Sequence, residues 1–599
     1  EKVYTISLFF FSAVSWLMIS WTDDPDGPKA ERKLILVAYL LGLGYANHPA
    51  GFLALPAVGV AILVRRWQTL LNWRLLVKGL LVLCLGLTPF IYEPIRAAYF
   101  PPLNEGETTA CVEKLEVSCT FSELTKKRLM DNINREQYGK KLERGAPFTA
   151  QVGMWWLYFK WQWLRDAYNE NTALQAILAV LFFSLGLAGG WVHWKYDRRT
   201  FWYFGPLMFT LTLALIYYMN FKYGWSQAPE LADSVNREVR DRDYFYIWSY
   251  SAWGVWAALG LVYVWQTVAE LLDRSGGDAA DRAGHASRRA WLLATPILLV
   301  ACAPLIGNWN AASHRGDTFA ADWGADMLNS VEPYGILITN GDNDTFPLWY
   351  AQEVEGIRQD VLVLVTSYLN TDWFVRQVIR RPVREYDAAK GPAIYRGNVW
   401  PKPKGPPLKW TYAEADAQPD YIELREPQIF KQRDITVTIR PEQLSQPGYL
   451  TRDQIVTLTL IKDAYPDRSV YFSTGGYGRS LGLAPYSLRQ GLVEKLVEKP
   501  IVPSKDTVQV GDGFLDVPTS RTLWTQVYKG PKELIDEGNW FDRPSFGIPY
   551  TYTVTGYVLA QALKTAGQTA ESASVMAEVT KMAEAARITD VLTSLGADR

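Results

Sequence analysis

Three arginines and three acids crowd one stretch, Arg237-Glu238-Val239-Arg240-Asp241-Arg242-Asp243-Tyr244-Phe245. A guanidinium presents a planar fork of N–H donors that matches a phosphate. Arg240 and Arg242, with Arg237 as a third, are therefore candidates for binding the phosphate of a lipid-linked donor. Internal ion pairs would make the same stretch a solvated interfacial segment, and both readings stand. Asn47-His48-Pro49 pairs an imidazole, able to act as an acid or to bind phosphate, with residues that also break and cap helices. Gly341-Asp342-Asn343-Asp344-Thr345 has the same double character. Asp342 and Asp344 with Asn343 could hold a divalent ion or the hydroxyls of an acceptor sugar. They could equally cap the backbone N–H groups of a strand-to-helix turn. Trp155, Trp156, Tyr158, Phe159, Trp161 and Trp163 suit stacking on sugar rings, but an aromatic anchor at head-group level is the favoured reading. Four His and four Cys lie scattered, without a convincing metal site or an implied cofactor. Cys111 and Cys119 are a disulfide candidate, with two free thiols as the alternative.

These groups need elements to hold them. The 599 residues are 49% hydrophobic, with a mean hydropathy of −0.07 and a net charge of −1. That balance excludes a global field for nucleic acid. The apolar residues are concentrated in the first half. A membrane span needs about 20 of them. Val3–Trp21, Val77–Ala98, Thr172–Trp194, Phe201–Phe221, Tyr244–Gln266 and Ala290–Ile306 qualify. Residues 34–64 divide at Asn47-His48-Pro49 into two shorter helices, giving about eight segments. The basic residues fall in alternate loops: Lys29, Arg32 and Lys33; Arg65, Arg66, Arg74 and Lys78; Lys195, Arg198 and Arg199; Arg274, Arg282, Arg288 and Arg289. The bias of Lys and Arg toward cytoplasmic loops puts these inside. Glu1, Asn47–Pro49, the loops 99–171 and 222–243, and everything after about 308 are then outside, where a disulfide is permitted. Every chemically distinctive segment falls on that outer face. The chain opens at Glu1 directly into an apolar run with no basic segment before it. That is not the pattern of a signal peptide and suggests a natural N-terminus further upstream.

From about 308 the pattern becomes α/β. Strands are predicted at Gly335–Thr339, Val361–Thr366, Asp434–Ile439 and Ser469–Ser473. Helices are predicted at Pro347–Glu355, Asp372–Arg380 and Thr451–Ala464, with 381–432 irregular. Beyond about 553 the periodicity is helical, at Tyr557–Lys564 and Ala570–Arg587. The expected domains are a membrane domain over 1–307 with its outer loop 99–171, an α/β domain over 308–550, and a helical hairpin over 551–599.

The order of segments resembles a known family. "EKVYTISLFF", "LLGLGYANHPAGFLALPAV", "NINREQYG", "REVRDRDYF", "LITNGDNDTFPLWYAQEVEGIRQDV" and "LNTDWFVRQVIRR" follow one another as in the bacterial membrane proteins called domain of unknown function 2723. These are grouped with glycosyltransferase family 117 and the transmembrane protein O-mannosyltransferases. The resemblance implies a GT-C type helical bundle in the bacterial inner membrane. It implies transfer of a hexose such as mannose from a polyprenyl phosphate to a protein or glycan acceptor outside the cytoplasm. Arg240, Arg242 and Arg237 would face the donor phosphate. Asn47, His48, Asp243 and Tyr244 would line the cavity. The family's catalytic acid lies in an outer loop before its Glu-x-Tyr span, so the resemblance implies that this acid precedes Glu1 and that this chain is an inactive fragment. Glu1 itself is a weak substitute. The alternative is a non-catalytic, membrane-anchored binding or scaffolding protein. A transporter is disfavoured, because the spans bury few ionisable groups at mid-membrane.

Overall fold

The computed structural model describes residues 2–136, 145–166, 168–273, 286–473, 475–538, 540 and 545–596. Glu1 and the basic residues Arg274 and Arg282 lie outside these. The chain divides into two compact units. The first comprises Glu1–Arg96 and Tyr138–His314; the second comprises Ala97–Gln137 and Arg315–Arg599. The front part of the expected outer loop thus groups with the C-terminal residues.

The first unit is helical. Its principal helices are α1 (Lys2–Asp23), α2 (Ala30–Asn47), α3 (Leu55–Arg66), α4 (Trp73–Gly86), α5 (Phe148–Trp163), α6 (Thr172–Tyr196), α7 (Arg198–Phe209) and α8 (Ile247–Leu272). Among the described residues, seven helical stretches are long and apolar enough to cross a membrane: Val3–Asp23, Pro49–Leu71, Trp73–Ala97, Thr172–Tyr196, Arg198–Met219, Asp243–Leu272 and Arg288–Ala312. The remaining expected segment is α2, whose first turns carry Glu31, Arg32 and Lys33 and leave Leu34–Asn47 as its apolar part. The outward faces are apolar, as a lipid solvent requires: Phe9, Trp16, Leu80 and Ile177 are all more than half exposed.

The Asn-His-Pro step separates two helices. α2 ends at Asn47, His48 is extended, and a 3₁₀ turn over Pro49–Phe52 leads toward α3. The two ends of α1 have different surroundings. At its C-terminal end, Arg65 donates to the Thr22 carbonyl (3.0 Å), Arg66 to the Pro25 carbonyl (2.7 Å) and Lys33 to the Ser20 carbonyl (2.6 Å). The first two basic loops therefore meet on one face. At the other end, Asn47 Nδ2 donates to the Val3 carbonyl at 3.2 Å.

α6 and α8 cross at glycines. A Cβ on Gly189 would stand 1.7 Å from the Trp256 carbonyl oxygen, and one on Gly260 2.0 Å from that of Leu185. Only hydrogen fits at such a crossing. The aromatic run lies on α5 and forms core instead of a surface anchor. Trp155, Tyr158, Phe159, Trp161 and Trp163 are buried. Trp163 stacks on Phe182 with centroids 4.0 Å apart, and Trp155 Nε1 donates to Ser249 (3.1 Å). The interfacial reading fails because these rings find helix partners in α6 and α8.

The second unit is built on a seven-stranded mixed sheet. Its strands are β1 (Ile336–Thr339), β2 (Leu362–Val365), β3 (Val470–Phe472), β4 (Ser487–Gln490), β5 (Val493–Leu496), β6 (Thr507–Val510) and β7 (Gly513–Asp516), in the order β6-β7-β4-β5-β3-β1-β2. β3, β1 and β2 are parallel, and β5 joins β3 antiparallel. The parallel strands are buried on both faces, which explains their unbroken apolar sequences. Leu337, Val363 and Tyr471 face one core with Phe319, Trp323 and Leu559; Ile338, Leu364 and Phe472 face another with Phe374 and Ile461. The helices over these cores include α9 (Phe319–Asn329), α10 (Asp342–Glu353), α11 (Asp372–Arg380), α12 (Arg452–Ala464), α13 (Gly547–Thr565) and α14 (Thr569–Ala585). The stretch 381–432, expected to be irregular, contains a short helix at Tyr412–Asp416 and strands at Tyr421–Glu423 and Gln428–Gln432. The second of these strands pairs with Ile435–Ile439.

Candidate functional site

The loop before α8 is pinned by its own residues. Tyr223 N–H donates to the Asn236 carbonyl and Glu238 N–H to that of Tyr223 (3.2 and 2.8 Å). Arg237 turns its guanidinium onto the loop, donating to the carbonyls of Gly224 (3.2 Å), Ala228 (2.6 Å) and Gln227. It is a clamp on the loop. Asp241 is buried and accepts from Tyr158 Oη (3.1 Å), Ser226 N–H (3.1 Å) and Ser226 Oγ (2.7 Å). The Tyr158 hydroxyl in turn accepts from the Arg242 N–H at 3.1 Å. One tyrosine of the core helix α5 thus sets the backbone of the arginine stretch.

The remaining charges divide unequally. Arg242 pairs with Glu238 (3.3 Å) and donates to Tyr244 Oη (3.1 Å), so its charge is already matched in place. Asp243 pairs with Arg165 at 3.3 Å, and Arg165 lies 4.7 Å above the Trp161 ring. Arg240 is exposed, with its guanidinium carbon 5.7 Å from the centroid of the Tyr244 ring. Among the described residues it has no acidic partner.

Three distant sequence segments converge at the Tyr4 ring, next to the Tyr244 ring that Arg240 overlies. The Tyr4 ring from the start of α1 lies 5.3 Å from His48, 5.1 Å from Tyr244 and 5.9 Å from Trp248. His48 stacks against Trp248 at 6.1 Å. Its Nδ1 accepts from the Ala50 N–H at 3.1 Å, which puts the proton of the neutral ring on Nε2. Asn47 tethers the start of α1, as described above. Asn47, His48, Tyr244 and the arginine stretch are therefore neighbours, and Tyr4 is the member that motif reading did not single out. Its signal was the tyrosine of the Glu1-Lys2-Val3-Tyr4 opening. Glu1 lies outside the described residues.

The Gly341–Thr345 turn lies in the second unit. Asp344 accepts from the N–H groups of Gly341 (2.8 Å) and Asn340 (2.9 Å) and from Ser473 Oγ (2.7 Å). It caps α10, which consequently begins five residues before the expected start at Pro347. Asp342 and Asn343 are exposed beside it. No group of three or more potential metal-ligating side chains occurs among the described residues. Cys111 and Cys119 form a disulfide, with Cα atoms 5.1 Å apart.

A second polar cluster was not foreseen. Glu107, nearly inaccessible to water, pairs with Arg376 (3.6 Å) and with Arg380. Arg376 also pairs with Asp416, and Arg128 approaches Asp416 at 3.9 Å. Burial, and then the neighbouring Arg376 charge, push Arg128 below the usual arginine range. The visible trace of this cluster in the sequence is the spacing of Arg376 and Arg380, four apart on one face of α11.

Two segments match family models. Residues 1–71 match the protein O-mannosyl-transferase TMEM260 N-terminal domain, and residues 320–395 match TMEM260-associated domain 2. The first contains Tyr4, Asn47 and His48. The second contains the Asp342–Asp344 turn and α11. No curated protein and no solved structure matches the chain.

Proposed function

We propose that the chain is a glycosyltransferase of GT-C type. On this reading it moves a hexose such as mannose from a polyprenyl-phosphate donor to a protein or glycan acceptor on the extracytoplasmic face of a bacterial inner membrane. The observation that carries it is the convergence of Tyr4, His48 and Tyr244 beside the exposed Arg240, which has no acidic partner among the described residues. The similarity of residues 1–71 to a protein O-mannosyl-transferase domain supports it. The acceptor oxygen attacks C1 of the sugar and its proton passes to a base. The bond from C1 to the phosphate oxygen breaks, and its electron pair stays on the phosphate. Negative charge therefore grows on the leaving group, where a fixed cation contributes most. Arg240 supplies that cation. Arg242, already paired with Glu238, orients Tyr244. The rings of Tyr4, His48 and Trp248 form a wall that keeps water from the donor. The bias of Lys and Arg toward alternate loops supports an extracytoplasmic C-terminal unit.

Arg240→Ala in the full-length protein tests it, in membranes supplied with a polyprenyl-phosphate sugar. Transfer should fall at least a hundredfold while expression and thermal midpoint stay unchanged. Turnover equal to that of the unaltered chain would remove the phosphate role.

A further inference from the structure

A cavity of about 280 Å³ opens in the second unit between the helix Glu123–Ile133 and α11. It falls just below the range for small-ligand pockets, about 300–1,000 Å³, and suits one sugar ring. Its charges balance: Lys127, Arg128 and Arg376 are matched by Asp131, Asp372 and Asp416. A balanced lining provides no field for a phosphate or a divalent cation. It does provide fixed acceptors and donors for a neutral ligand with many hydroxyls. The carboxylates are held in position from behind. Asp416 is gripped by Arg376, whose side chain is 7% exposed, and Asp372 by Arg452, at 5%. Each carboxylate has about four lone-pair positions, more than these arginines fill. Asp131 has no partner among the described residues, and Asn132 adds an amide that both donates and accepts. Trp373 contributes an apolar ring to the same wall. Gly106 keeps the floor open, since a Cβ there would stand 2.1 Å from Asn132 Nδ2, and its φ of +76° disfavours any other residue.

We infer that this pocket binds a neutral sugar of the acceptor. The assignment to an acceptor rests on the transferase reading; the binding itself does not. The full chain in detergent is titrated with methyl α-D-mannoside, with methyl β-D-glucoside and over a printed panel of neutral oligosaccharides, with inorganic phosphate as the contrast. At least one neutral sugar should bind. Asp131→Ala and Asn132→Ala should each weaken it tenfold or more without moving the thermal midpoint. These variants should raise the acceptor KM while leaving hydrolysis of the donor by water intact, whereas Arg240→Ala should reduce that hydrolysis. No binding by any neutral sugar, binding that both variants leave unchanged, or preferential binding of phosphate at this site would each overturn the inference. Sugar binding that depends on Asp131, without transfer by the full-length protein, would sustain the pocket and remove the transferase reading.

Discussion

Glu107 is a carboxylate almost sealed from water between two guanidiniums, and its worth follows from that setting. Removing one member of a buried ion cluster leaves charge uncompensated, at a cost of about 3–5 kcal/mol. Glu107→Gln should therefore destabilise the second unit by about that much. Faster hydrogen exchange across Asn104–Thr109 and α11 is the measurement, and unchanged protection would contradict it. Arg237 and Arg240 separate cleanly by environment. Arg237→Ala should lower the thermal midpoint of the first unit, because three carbonyls lose a charged donor worth about 1.5–3 kcal/mol each at most. Arg240→Ala should not lower it. These distinctions were hidden in the sequence, where Arg237, Arg240 and Arg242 differ only in position. Which of them faces carbonyls, a glutamate or open space depends on Tyr158, Ser226 and Gly224, brought in by folding. The partnership of Glu107 with Arg380 spans 273 residues, so no local pattern could announce it.

At the scale of elements, the α6–α8 crossing is the most exacting contact. Gly189→Leu would drive a side chain into the backbone of α8. The expected loss is at least the overpacking cost of about 1–3 kcal/mol, read as a lower midpoint and loss of monodisperse protein. A variant as stable as the original would show that the crossing has room. The helices were legible because long apolar runs and a period of 3.6 survive in single sequences. α11 spans the residues expected of it, Asp372–Arg380, and β1–β3 appear as almost wholly apolar runs. β4 to β6 did not stand out: "SLRQ", "VEKL" and "TVQV" carry charged or amide residues in very short strands, and β6 pairs only with β7 among the described strands. The aromatic helix α5 was misjudged for a physical reason. Tryptophan suits both a membrane interface and a tight core, and only its neighbours decide.

At the scale of the whole second unit, Asp326 ties α9 to the C-terminal helices. It accepts from the N–H groups of Lys529 and Gly530 (both 3.0 Å) and from Tyr552 Oη (2.7 Å). Burial raises its pKa to about 7 from the ordinary 3.8, and Glu533 is likewise raised to about 7 by burial. Between about pH 4 and 7 the folded state then holds more protons than the unfolded one. Stability should fall as pH rises through that window and level off above it. Asp326→Asn should flatten part of the slope in pH-dependent unfolding, and an unchanged profile would count against it. The membership of Ala97–Gln137 in this unit has a further consequence, for biogenesis. A ribosome adding about 5–20 residues per second needs on the order of tens of seconds to travel from Glu107 to Arg380. Throughout that interval the early segment lacks its docking helix. An emerging chain must keep this half-made surface from aggregating, and a separately produced 315–599 would lack the piece that completes it.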